Sequence, residues 1–230
     1  MVLCVRPPTH TTGHQLRFPY QRSLMFVGLL VLVTGCASTG AFRHTDHPAI
    51  KSVSLHNNID KPEHLLYVGA VSQALRSPLF SPLGTLVASL VTAGEGTDAE
   101  IVVKLEEAMS KASIDIQEIV REQFLHQLRQ LRVFQDIGPE GGDAEFMLTI
   151  LQYGFQRSRD GIKPWLRVQG RLQQSGGPVL WTNAVEIQSV EYEPTPEYTL
   201  KECLENPARI KEALTVAAQL AAERLVKNIR

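Results

Sequence analysis

The chain has 230 residues, 43% hydrophobic and 20% charged, with a net charge of −1. That balance belongs to ordinary globular proteins and excludes a fibrous or wholly disordered chain. The first 35 residues hold Arg6, Arg17 and Arg22 and no acid, so the remainder carries 20 basic against 24 acidic residues, a net −4 that gives no electrostatic reason to bind nucleic acid.

In chain order the first feature is the apolar run from Leu24 to Val33, ten residues long and preceded by Arg22. It is half of the roughly 20 residues that a helix needs to cross a bilayer, so it reads as the apolar part of a signal peptide. The residues that follow, Val33-Thr34-Gly35-Cys36, resemble the lipobox of bacterial lipoproteins. The resemblance implies cleavage before Cys36 and a diacylglycerol on its sulfur, with residues 1–35 as signal peptide and 36–49 as lipidated N-terminus and tether. Residues 50–230 are then expected to form one periplasmic domain. The alternatives are a secretory signal that contains a cysteine, or a buried helix with a free thiol. The leader before the apolar run is long for such signals and contains Pro7 and Pro8, which leaves open whether translation starts at Met1 or downstream of it. In Gram-negative lipoproteins an aspartate after the cysteine favours the inner membrane; Ala37 stands here, which implies the periplasmic face of the outer membrane. Each buried methylene of an acyl chain contributes about 0.8 kcal/mol, so several chains hold a protein at the surface. With Cys4 removed and Cys36 modified, Cys203 has no internal disulfide partner.

Residues 50–55 and 63–69 read as short strands; the first alternates Ile50, Ser52 and Ser54 against Lys51, Val53 and Leu55, with one apolar side only partly developed. Residues 77–96 contain no charge before Glu95, and Leu79, Leu83, Leu86 and Leu90 recur at helical spacing. This stretch reads either as a buried core element or as an exposed apolar element that docks on lipid or a partner. From Asp98 to Ala112 the residues Ile101, Leu105, Ala108 and Ala112 make a helical stripe. A second helix follows, with Asp115 and Glu118 as a capping box and Ile116, Val120, Phe124, Leu128 and Leu131 as its inner face. Residues 133–137 read as a short strand and 144–155 as a long one, apolar on both sides and therefore central. Residues 166–173 and 178–187 alternate on either side of Ser175-Gly176-Gly177 and form a hairpin, with Val179, Trp181, Val185 and Ile187 on one face. Thr199 opens a short helix. Asn206 and Pro207 open a longer one with Ile210, Leu214, Ala217, Ala221 and Leu225 inside.

No arrangement of residues spells out a chemistry. His44 and His47 are spaced H-x-x-H in the tether, but a zinc site needs further convergent ligands that do not accompany them, so no metal and no cofactor is expected. Ser, His and Asp residues lack a nucleophile-elbow context. Cys203, beside Leu200 and Leu204, reads as a buried structural thiol. The wet side of the hairpin places Trp165, Arg167, Gln169 and Arg171 in a row. It is either an ordinary solvated sheet face or a contact patch for a protein or glycan, since Trp and Arg commonly anchor interfaces.

The order of elements predicts an α+β fold: a largely antiparallel sheet of four to five strands with helices on one face. The stretch from the 115–131 helix through DAEFMLTILQYGF to GGPVLW is similar to envelope lipoproteins that assist secretion, curli export or peptidoglycan synthase activation. That resemblance implies an accessory role and transfers no site residue. The expectation is a non-enzymatic, lipid-anchored binding or assembly accessory of the outer membrane, its partner an envelope protein or glycan and its oligomeric state open. A carrier or sensor of a small apolar ligand is the alternative, and a cell-wall or lipid hydrolase a third reading.

Overall fold

The computed structural model describes residues 41–47, 49–69, 97–188 and 194–230. The apolar run, Cys36 and the 77–96 stretch lie outside the described residues. The elements are β1 (Ser52–Leu55), β2 (Leu66–Val68), α1 (Asp98–Lys111), α2 (Ile116–Leu131), β3 (Asp136–Gly138), β4 (Ala144–Arg157), β5 (Ile162–Gln174), β6 (Val179–Gln188), α3 (Leu200–Glu205) and α4 (Ala208–Val226). Among the described residues no helix is long and apolar enough to cross a membrane.

Helix starts follow the local chemistry of their caps. Thr97 and Glu100 close a capping box on α1, and Thr199 and Glu202 close one on α3. At α2 the Asp115 side chain accepts from the Gln117 N–H at 2.8 Å, while Glu118 turns to Arg121 at 3.8 Å, so the box expected there does not close. Asn206 Oδ1 accepts from the Ala208 N–H at 3.3 Å, and Pro207 already has helical angles, a position where a missing N–H costs nothing.

Among the described residues the sheet has six strands in the order β3-β1-β4-β5-β6, with β2 paired to the far end of β4. β1 lies beside Ala144–Phe146 and β2 beside Gly154–Gln156, so the two share one edge of β4 while β5 takes the other. All three short strands run parallel to their neighbours, and only β4–β5–β6 is antiparallel. The sheet is therefore mixed, not largely antiparallel, and has more strands than expected. The physical reason is the connection: α1 and α2 carry the chain from β2 to β3, and a helical crossover returns it in the same direction.

One face of this sheet holds the core. α4 lies along β5 and β6 and against α2, as the helices were expected to do. Its stripe of Ile210, Leu214, Ala217, Ala221 and Leu225 is buried, and the alanines permit a close approach. Phe146 receives Phe124, Phe134 and Trp181 edge-on at centroid distances of 5.4, 5.9 and 6.1 Å, the arrangement that ring quadrupoles favour. The Trp181 ring lies over Gly170, where a Cβ would meet it at 2.9 Å.

Two bulges change which side chains face inward. Between Ile150 and Gln152 the register of β4 slips, so the inward set changes from Phe146, Leu148 and Ile150 to Tyr153 and Phe155. In β6 the pairing jumps from Leu172↔Trp181 to Gln173↔Val179. The extra residue, Leu180, turns Val179 outward, where it is 43% exposed, against the expectation that it shares a face with Trp181.

The stretch read as a tether is part of the folded unit from Phe42 onward. Phe42 is 2% exposed. Its N–H donates to the Asn228 carbonyl at 2.8 Å, and its carbonyl accepts from the Arg230 N–H at 2.9 Å.

Asp143 joins β1 to the start of β4. Its Oδ2 accepts from the backbone N–H groups of Lys51 and Ser52 and from the Ser52 hydroxyl, each at 2.9 Å. These bonds, the backbone ones first, hold its carboxyl below the ordinary aspartate range. A carboxyl lowered in the folded state adds stability above its unfolded value, and that stability is lost as the pH falls through the folded value. Asp143→Asn should thus be less stable than the parent at neutral pH in urea titrations, and the difference should vanish well below about pH 4. Gly154, at φ +149°, leaves no room for a Cβ against the Leu66 backbone. Gly154→Ala should separate β2 from β4 and lower the unfolding free energy by about 3 kcal/mol in the same assay.

Candidate interaction surface

The face of β4–β5–β6 turned away from the helices is built by strand alternation. Leu166, Val168 and Leu172 point into the core, so Trp165, Arg167, Gln169 and Arg171 point the other way. Register then sets their neighbours: Arg167 stands between Gln152 and Glu186, Gln169 between Thr149 and Ala184, and Arg171 between Met147 and Thr182. The candidate residues do share one row. Their cross-strand neighbours could not be paired from sequence, because the β4 bulge intervenes.

Trp165 departs from expectation. It is 5% exposed, and its Nε1–H donates to Glu186 Oε1 at 3.0 Å. Val68 and Gln156, on the same face, are also buried. At this end of the face the indole is thus a structural side chain and not a ring offered to a partner. The missed signal is Gly154, which stands directly across from Trp165 and lacks a side chain.

The two arginines differ. Arg167 is exposed and forms no ion pair among the described residues. Arg171 is half-buried: one terminal nitrogen donates to Gln173 Oε1 at 3.0 Å, while its Nε is buried and has no acceptor. A buried donor without a partner costs about 1–3 kcal/mol, so an incoming acceptor would relieve a standing deficit. Glu186 is the acid facing Arg167 across the strands, and it already accepts from Trp165 and from Gln188.

Among the described residues Tyr67 Oη, Arg121 Nε, Trp181 Nε1 and Thr195 Oγ1 are likewise buried without a hydrogen-bond partner, but they lie away from this row, and the histidines are committed to the fold. His44 contacts the Ile50 carbonyl, His47 stacks on Phe42, His56 pairs with Glu145, His64 with Glu106 and His126 with Gln130. Among the described residues no group of three or more His, Cys, Asp or Glu is placed to hold a metal ion. Ser158 donates to Glu197, and this bond with the Asp160 N–H and Lys163 holds that carboxyl below its ordinary range. The arrangement closes the turn between β4 and β5, and among the described residues no histidine is bonded to the serine. A cleft of about 230 Å³ beside Leu55, Arg121, Leu125 and Ile137 is smaller than the ~300–1,000 Å³ usual for ligand pockets.

No family model and no curated protein matches the chain. Among solved structures, protein XCC0632 from Xanthomonas campestris, described as DUF330, aligns over 84% of this chain and 89% of its own at 9% identity with a TM-score of 0.36. Lipoprotein GNA1162 from Neisseria meningitidis aligns over 59% of this chain and 81% of its own at 21% identity with a TM-score of 0.22. Superpositions this loose pass no property of either protein to this chain.

Cys203 is fully buried on α3, and desolvation first, then the Glu202 charge, pushes its thiol up to about 12. A thiol so placed holds almost no thiolate near neutral pH. In thiol titrations it should react with no measurable rate in the native protein and stoichiometrically after unfolding.

Proposed function

We propose that this chain is a lipid-anchored protein of the bacterial envelope that acts as a non-enzymatic binding or assembly accessory. It is held through Cys36 to the outer membrane and faces the periplasm. The anchor reading rests on the ten-residue apolar run that ends in Val33-Thr34-Gly35-Cys36. The observation that carries the binding reading is the Arg171 guanidinium, whose buried Nε lacks an acceptor beside the exposed Arg167. Two cations on one sheet face, with Gln169 between them, suit a partner that presents carboxylates or carbonyls. An envelope protein or an acidic glycan has that chemistry. Because both side chains point away from the core, reversing their charge leaves the packing under them unchanged.

The double variant Arg167→Glu/Arg171→Glu should keep the parent's circular dichroism and lose about tenfold or more of the partner recovered by cross-linking in intact cells. Full retention of every cross-linked species would overturn the assignment of this face. For the anchor, Cys36→Ser should take up no labelled palmitate and leave the membrane fraction; unchanged fractionation would remove it.

A further inference from the structure

The two ends of the sheet are protected to very different degrees. At one end β3 is three residues long, carries Asp136 and runs into Pro139, devices that discourage pairing with another chain. At the other end β6 is ten residues long and contains neither proline nor lysine. Its sole charge is Glu186. Among the described residues β6 pairs with β5 and with no second strand.

The direction of its backbone groups follows from the hairpin. The Gln174 N–H donates to the Pro178 carbonyl at 3.1 Å, so even-numbered residues of β5 aim their backbone at β6. Their partners Trp181, Asn183, Val185 and Ile187 are thereby satisfied, while Thr182, Ala184 and Glu186 aim N–H and C=O at the open edge. A further contact is consistent with this: Arg224 Nη1 donates to the Glu186 carbonyl at 3.5 Å from α4, which takes one lone pair of that oxygen and leaves the second for an edge partner.

We infer that the open edge of β6 pairs antiparallel with the β6 of a second copy of this chain, about a two-fold axis through Ala184, to form one continuous sheet. In that register Thr182 faces Glu186, Ala184 faces itself, and all three outward residues of each copy find donors and acceptors. Glu186 Oε1 already accepts from Trp165 and Gln188, and Oε2 is left for the Thr182 hydroxyl of the other copy. Other registers do worse. An axis through Thr182 or Asn183 runs into the bulge at Leu180, and an axis through Glu186 opposes two carboxylates directly. An axis through Val185 sets the two carboxylates diagonally adjacent on one face. The side chain at the axis, Ala184, is exposed and small enough for two strands to meet. The pairing uses the edge and leaves the Arg167 face open, so it does not depend on the anchor or on the partner proposed above.

The test uses the full-length protein in its membranes and in detergent. At the axis the paired Cα atoms lie about 5.5 Å apart, so Ala184→Cys should give a species of twice the chain mass with bismaleimidoethane. Lys111→Cys, on a side chain 79% exposed on α1, and the parent should not. The same pattern should hold when each is made in a Cys4→Ser/Cys36→Ser background, so that no thiol of the N-terminal segment can supply the product. By analytical ultracentrifugation in detergent the parent should sediment as a dimer, and Ala184→Lys, with unchanged circular dichroism, as a monomer. A product of any other mass, no product from Ala184→Cys, or a dimer that survives Ala184→Lys would overturn the pairing.

Discussion

The ring of Phe146 is the contact on which the arrangement depends. It is fully buried in the central strand and receives one ring from α2, one from the segment before β3 and one from β6. Helix, crossover and hairpin therefore share a single side chain as their meeting point. Each edge-on pair adds about 0.5–1.5 kcal/mol beyond the area it buries. Such contacts are directional, and this fixes how α2 lies across the sheet as well as that it lies there. Gly170 belongs to the same device, since the Trp181 ring occupies the space that any larger residue would fill.

The stretch that resembles envelope accessory lipoproteins has a structural explanation in these contacts. Asp143 binds two backbone N–H groups of β1, and Ala144, fully buried, pairs with Val53. The apolar strand supplies Phe146, Leu148 and Ile150 to the core, and Trp181 closes the aromatic cluster. These residues build the sheet and lie on its inner side or at its end. The arginines proposed above to bind a partner, Arg167 and Arg171, lie on the opposite face, inside that stretch but outside its quoted segments. A shared framework of this kind says little about a shared partner.

Much of the fold was legible because the informative patterns are local. The hairpin was marked by clean alternation around Ser175-Gly176-Gly177, and α4 by a buried stripe whose members all face inward in the structure. What was not legible depends on distance along the chain. The direction of three short strands is set by helical crossovers, and a strand of three or four residues carries no trace of its partner. The single residue inserted at Leu180 reverses Val179, and a period-two pattern cannot report it. At the candidate surface, alternation placed Arg167 and Arg171 correctly on one side of β5. It could not show that Trp165 is enclosed or that Glu186 stands across from Arg167, because both facts require the register of neighbouring strands.

The backbone bonds between Phe42 and the last residues of the chain give the body a common doorway. The bridge is parallel, so polypeptide upstream of Phe42 and polypeptide attached after Arg230 leave it in opposite directions from neighbouring points, and a load drawn through the upstream segment bears first on the residues that follow α4. Bridging the two with a few residues and opening the turn at Gly176 would yield a rearranged chain order with the same neighbours.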